Sequence, residues 1–218
     1  MSREVKLLHT TVAHKLLLAV TGIVLLLFVI GHLAGNLQIY RGPEALNGYA
    51  ALLHANPGPV WAARLILLFS VGVHIAFAAR LAWRNWRARP VGYARRRWRE
   101  ADVAARSMVL TGPVIAAFVV YHLLHLTFGS VHPEFVPRDV YHNVVAGFRV
   151  LPVAIAYIVA NVLLAFHLFH GTWSLTQTLG MSHPRWDGLR RTAATVVAVL
   201  IGAGNVSIPL AVWAGWVR

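Results

Sequence analysis

Five long apolar stretches dominate this chain of 218 residues: about Val12 to Leu37, Val60 to Trp83, Val103 to Phe128, Arg149 to Leu175 and Thr192 to Val217. About 20 residues at a rise of about 1.5 Å each cover the roughly 30 Å hydrocarbon core of a bilayer, so each stretch is long enough to cross it. Backbone polar groups have no water to bond in that core, which makes each stretch a helix. Hydrophobic residues are 58% of the chain, charged residues 12% and the mean hydropathy is +0.61, so little sequence remains for a soluble domain. The expected architecture is an all-α membrane protein, with residues 1–218 as one transmembrane domain of five spanning helices. The first stretch follows Arg3 and Lys6 as a signal peptide would, but its apolar run is too long and no small-x-small cleavage site ends it. We read it as a retained first helix.

The net charge of +13 raises the question of nucleic acid, and the position of the charges answers it. Arg3, Lys6 and Lys15 precede the first span, nine arginines from Arg80 to Arg106 bracket the connection between the second and third, and Arg185, Arg190 and Arg191 precede the fifth. That places 15 of the 20 basic residues on one side of the membrane. The positive-inside rule then puts the N-terminus in the cytoplasm and the C-terminus outside, as an odd number of spans requires. The tract from Arg84 to Arg99 reads as a topology anchor against anionic membrane lipid, or the border of a docking surface for a cytoplasmic partner, and not as a nucleic-acid site. The chain has no cysteine, which excludes disulfides, thiolate chemistry and cysteine-ligated iron–sulfur clusters. Any iron–sulfur partner is another chain.

Trp61, Trp83, Trp86, Trp186, Trp213 and Trp216 fall near span ends, where an amphipathic ring prefers to sit. Pro113, Pro152 and Pro209 lie towards span ends, where a missing N–H is tolerated. The outer connections, Gln38 to Pro59 and Gly129 to Phe148, are long enough to fold over the mouth of a bundle.

One histidine stands inside each of the first four spans: His32, His74, His122 and His167. An ionisable side chain in hydrocarbon is costly and marks a functional site by default. A neutral imidazole that ligates iron removes much of that cost. The depths of the four can be reckoned. His32 lies 17 residues beyond Lys15 and His122 lies 16 beyond Arg106, so each sits about 24 to 26 Å from the inner end of its helix. His74 lies 10 residues before Arg84 and His167 lies 18 after Arg149, on helices running the other way, which puts both in the inner half. The depths sort into an outer pair, His32 with His122, and an inner pair, His74 with His167. Two bis-histidine haems at two depths are the reading this supports. Gly31, Gly35, Gly72 and Gly171 near these residues would let backbone approach a flat macrocycle, although small residues also serve helix packing. Ser70, four residues before His74, either orients that imidazole or bonds back to its own helix. Spacing leaves a choice open within two helices. His125 is three residues after His122 and His170 three after His167, so each rival shares a helix face with its neighbour.

The segments GHLAGNLQIYRGPEALNGYA, VGVHIAFAARLAW, VVYHLLHLTFG and AFHLFHGTWSLTQTLG together resemble the di-haem cytochrome b membrane anchor of succinate:quinone oxidoreductases and quinol:fumarate reductases. The resemblance covers all five spans, the fifth matching the ligand-free last helix of such anchors. It implies axial ligation by His32, His74, His122 and His167. In relatives the fourth ligand stands four residues before a glycine that an aromatic follows two positions later, a pattern met by His167, Gly171 and Trp173 and not by His170. The third-helix motif aligns on Val120-Tyr121-His122 and so favours His122 over His125. The resemblance further implies two haem b groups, flavoprotein and iron–sulfur subunits on the cytoplasmic face, residence in the cytoplasmic (inner) membrane, and a menaquinone near the outer haem. Electrons would run towards quinone, or in reverse for fumarate reduction.

Asn36, Tyr49 and His54 are the expected quinone neighbours on this chain, and Arg80 and Arg149 the expected partners of haem propionates unless they snorkel to the interface. The chain departs from some members of the family at two places. It carries His54 where a first-loop carboxylate stands near the quinol, and Ala165 where a glutamate stands two residues before the fourth ligand. Proton transfer at an outer quinone then falls to His54, Glu44 or water, and His54 offers an imidazole able to take up a proton. Two other classes compete: the cytochrome b subunit of a membrane hydrogenase or formate dehydrogenase, and a haem-free transporter whose histidines relay protons.

Overall fold

The computed structural model describes residues 10–88 and 103–218, with side chains of the second stretch described from Ser107 onward. Among these residues all regular secondary structure is helical, with no strand, and five helices are long and apolar enough to cross a membrane. Helix α1 spans Thr11–Asn36, its first turn capped by the Thr10 hydroxyl, which accepts from the Ala13 amide. A 3-10 turn, Leu37–Arg41, extends it and leads into α2, Pro43–His54. Then follow α3, Pro57–Arg87, and α4, Val103–His122, which runs on as a π-helical turn over Leu123–Thr127. Helix α5 is Val140–Arg149, α6 is Leu151–Thr178, and α7 is Asp187–Trp213 after a 3-10 turn at Pro184–Trp186. Prolines stand in the first turn of α2, α3 and α6, where the missing N–H costs nothing. The spanning helices α1, α3, α4, α6 and α7 form a multi-pass bundle. We call the side on which α1 begins the N-terminal side.

Helix α6 is the hub. It packs against α4 on one flank and α7 on the other, with further contact to α1 and α5. The α6–α7 seam is made close by small residues at four-residue intervals on α7, Ala194, Ala198 and Gly202, the last of which lies against Ala165 and Asn161 of α6. Helix α3 packs chiefly on α1 and leaves Leu65, Ile66, Leu68 and Phe69 exposed, as suits a lipid-facing surface.

The connections over residues 38–59 and 129–148 are more ordered than their polar composition suggests. Each contains a short helix, and α2 and α5 lie together across the end of the bundle opposite the N-terminal side. The Asn47 side-chain amide donates to Asp139 Oδ1 at 2.9 Å, and its carbonyl accepts from the Tyr141 amide at 2.9 Å. Asp139 also caps α5 by accepting from the His142 amide, and these bonds to its charged form hold the carboxyl below its usual range. Ile39, Leu46, Val145 and Phe148 anchor the two helices on Tyr157 and Ile208 below. The last spanning helix starts at Asp187, five residues before the apolar stretch that announces it. The early start is supported by Arg190, which is buried over the Trp173 ring, donates to Thr176 Oγ1 and pairs with Asp187.

A β-carbon at Gly202 would stand 2.8 Å from Ala165 Cβ. Gly202→Val therefore forces α6 and α7 apart and should destabilise the detergent-solubilised protein by about 1–3 kcal/mol. Ala203→Val, at the exposed neighbouring position, should leave the thermal midpoint unchanged.

Candidate cofactor site

The first four spanning helices carry their histidines into two ring pairs. His74 on α3 and His167 on α6 have ring centres 6.4 Å apart, at an interplanar angle of 55°. His32 on α1 and His122 on α4 have ring centres 5.9 Å apart and stand nearly perpendicular. The close backbone packing runs between α1 and α3 and between α4 and α6, whereas both histidine pairs bridge the other direction, α1 to α4 and α3 to α6. The His74–His167 pair lies nearer the N-terminal side and the His32–His122 pair nearer the opposite end.

The hydrogen-bond pattern favours one tautomer of His74. Thr21 on α1 approaches His74 Nδ1 at 3.1 Å and donates its only hydroxyl proton to the Leu17 carbonyl at 2.7 Å. Its oxygen can then only accept, so the proton sits on His74 Nδ1 and the lone pair on Nε2. Thr111 on α4 repeats the arrangement more loosely, 3.4 Å from His167 Nδ1 and 3.5 Å from the Met108 carbonyl. Metal-bound histidines show the same pattern, one ring nitrogen on the ion and the other tied to an acceptor.

In the second pair His32 stacks on Phe28, one turn before it on α1, with ring centres 5.2 Å apart. His122 Nδ1 lies 3.4 Å from the Tyr157 hydroxyl of α6. His125 does not join the pair. It is almost wholly buried on the other side of Tyr157, with Nδ1 3.0 Å from that hydroxyl and its ring stacked on Tyr121 and His132. The π turn explains the divergence. Phe128 donates to the Leu123 carbonyl five residues back, so three residues sweep a smaller arc than in an α-helix and the rings diverge, His122 towards His32 and His125 towards His132, while both still reach the Tyr157 hydroxyl.

The donor set fits an iron porphyrin. An imidazole nitrogen lies about 2.0–2.1 Å from a metal it ligates, which places two rings on opposite faces of one ion with centres about 6 Å apart. Among the described residues no three His, Cys, Asp or Glu side chains gather as a metal cluster. Two imidazoles at each position suit a metal whose other ligands come from a macrocycle.

The remaining expected residues are placed as follows. Tyr49 on α2 packs its ring where a β-carbon of Gly35 would stand, 2.6 Å from Tyr49 Cε1. Gly35 thus admits the tyrosine, while positions built on Gly31, Gly72 and Gly171 meet open space. Asn36 is half-buried at the end of α1. His54, exposed at the end of α2, donates from Nδ1 to the Ala50 carbonyl at 2.7 Å, which leaves Nε2 as its proton acceptor. Glu44, Arg80 and Arg149 are exposed. Thr21, and not Ser70, meets His74. Arg84 and Arg87 end α3, Arg87 over the Trp83 ring, and the rest of the basic tract lies outside the described residues. Residues not singled out from the sequence include Thr21, Thr111, Tyr157 and His14. His14 is fully buried against Phe77, and neither of its nitrogens has a hydrogen-bond partner among the described residues.

No family model matches this chain, and neither curated proteins nor solved structures yield a match. The case for function therefore stands on the geometry of the pairs and on their chemistry. Thr21→Val keeps the shape of the side chain but removes the hydroxyl oxygen that bonds His74 Nδ1. It should destabilise the protein by about 1–3 kcal/mol, and Thr21→Ser should restore most of the loss. Equal thermal midpoints for the valine and serine variants would contradict the tautomer assigned to His74.

Proposed function

We propose that the chain is the haem-bearing membrane anchor of a succinate:quinone oxidoreductase, the electron-transfer subunit between an iron–sulfur subunit and menaquinone. The observation that carries this reading is the presence of two imidazole pairs at two depths, each bridging helices whose backbones do not pack closely together. His74 with His167 holds the inner haem b, and His32 with His122 the outer one. A haem b supplies one-electron redox chemistry when bound, and the protein supplies ligation, orientation and a dry surrounding. Thr21 and Thr111 present the Nε2 lone pairs of the inner ligands.

In this reading the N-terminus is cytoplasmic and the C-terminus outside the cytoplasmic membrane, because 15 of the 20 basic residues lie on the first side. The flavoprotein and iron–sulfur subunits dock on that basic face. Menaquinone reacts on the other side, beside the outer pair, under the cover formed by α2 and α5. Asn36 and Tyr49 are its nearest polar neighbours, and His54 Nε2 takes up or returns protons. In the fumarate-reducing direction the same groups serve the oxidation of menaquinol.

The test is purification of the tagged full chain from membranes. Co-purification of a flavoprotein and an iron–sulfur protein, with succinate or menaquinol reducing a sharp low-spin b-type band, is the expected result. A coloured protein that brings down a hydrogenase or formate dehydrogenase assigns the anchor to that class instead. A colourless one, purified with its partners absent, leaves a haem-free transporter.

A further inference from the structure

His125, the histidine that competes with His122 in the sequence, has no iron to hold in this arrangement, yet it is one of the most completely buried polar residues. It meets the outer pair through one atom, the Tyr157 hydroxyl, which lies 3.4 Å from His122 Nδ1 and 3.0 Å from His125 Nδ1. That hydroxyl has a single proton, so it donates to one imidazole and accepts from the other. The two directions have different consequences. If Tyr157 donated to His122 Nδ1, a neutral His122 would carry its proton on Nε2 and could not ligate. If Tyr157 donates to His125 Nδ1, its oxygen accepts the His122 Nδ1 proton and Nε2 is left with the lone pair.

The surroundings of His125 hold the relay in place. His132 stacks on it with ring centres 4.6 Å apart and is itself fully bonded. Its Nε2 donates to the Asn143 carbonyl at 2.9 Å, and its Nδ1 accepts from the Glu134 amide. Tyr121 covers the His125 ring at 5.4 Å, and a β-carbon at Gly147 would stand 2.7 Å from His125 Cε1, so the ring has no room to turn away. Phe118 and Phe148 pack on the Tyr157 ring at 5.0 and 4.8 Å.

We infer that Tyr157 is the positioning residue of the outer haem ligand: it accepts the His122 Nδ1 proton while donating its own to His125, so that His125 sets the tautomer of the ligand without ligating. The inference rests on the two-haem reading proposed above. The inner ligand His74 is oriented differently, by a threonine whose proton goes to its own helix backbone. A proton shared from Nδ1 makes an imidazole more basic, and a more basic ligand favours oxidised iron. Hydrogen bonds in such a chain also polarise one another, so a change at His125 is felt at His122.

The test is a redox titration of the complete complex in membranes, following both b-type bands, with the outer couple identified as the one missing in His32→Ala. Tyr157→Phe keeps the ring packing and removes the hydroxyl. It should retain two haems per chain and raise the outer midpoint potential by up to a tenfold change in the reduction equilibrium, about 59 mV for a one-electron couple. The inner couple should stay in place. His125→Leu should move the outer couple the same way, and His125→Gln, which can still accept from Tyr157, should return it towards the wild-type value. If Tyr157→Phe fails to assemble, the His125 variants carry the comparison. An unmoved outer couple in Tyr157→Phe, or in both His125 variants, overturns the relay while the two-haem reading stands. Loss of the outer haem in both His125→Leu and His125→Gln, with Tyr157→Phe unaffected, would make His125 a ligand and also overturn it. A wild-type protein without haem overturns the reading beneath.

Discussion

An imidazole inside an apolar bundle is tolerated when its ring nitrogens are occupied, because an unmade hydrogen bond there costs about 1–3 kcal/mol. The bundle meets this demand in the same way for three of the four paired histidines. One nitrogen of His74 is bonded by Thr21, of His167 by Thr111 and of His122 by Tyr157, each from a neighbouring helix. These bonds stitch α1 to α3, α4 to α6 and α6 to α4, the same directions in which the backbones pack closely. The paired rings themselves bridge the helices whose backbones do not pack closely, α1 to α4 and α3 to α6. Helix positions, side-chain tautomers and the direction in which a bound group is offered ligands follow from one requirement. His14 stands apart from this pattern, buried without a partner on the N-terminal side, and nothing among the described residues accounts for it.

The ends of the bundle are built by different means. On the N-terminal side the chain relies on charge: Arg190 is buried over Trp173 and paired with Asp187, and Arg87 lies over Trp83. On the opposite side it relies on two short helices joined through Asn47 and Asp139 and seated on an apolar cluster around Tyr157. In the proposed anchor this asymmetry divides the labour. The basic face suits soluble subunits and anionic lipid, and the covered face suits an apolar quinone. Tyr157 belongs to both the packing cluster and the hydrogen-bond chain of His122, so the cover and the outer pair share a residue.

Much of this was legible in the sequence, for definite reasons. The five spans were readable because hydrocarbon thickness dictates length, and the histidine depths because a helix rises by a fixed amount per residue. The sorting of His32 with His122 and His74 with His167 needed nothing more than that rise. What the sequence concealed lies in contacts between distant residues. Thr21 and Thr111 are ordinary apolar-span threonines until α3 and α6 bring a histidine to each. Ser70 was the local candidate because it shares a helix with His74, whereas the contact comes from α1. The i, i+3 equivalence of His122 and His125 failed because a π turn intervenes, and no residue in Leu123–Thr127 announces one. Helices α2 and α5 were hidden by their shortness and polar residues, which read as connection. His54, Asn36 and Tyr49 were chosen on the resemblance, and their place near the covered end is compatible with the quinone role proposed for them.

The central claim is that the four histidines act as two fixed pairs, each holding one haem. The most direct measurement is the haem content and spectrum of four single variants, His32→Ala, His122→Ala, His74→Ala and His167→Ala, purified with the complex. The account predicts two haems in the parent chain, loss of the same haem in the first two variants and of the other haem in the last two. Retention of both haems in any of the four, or a pattern of losses that pairs His32 with His74 or His167, would contradict it.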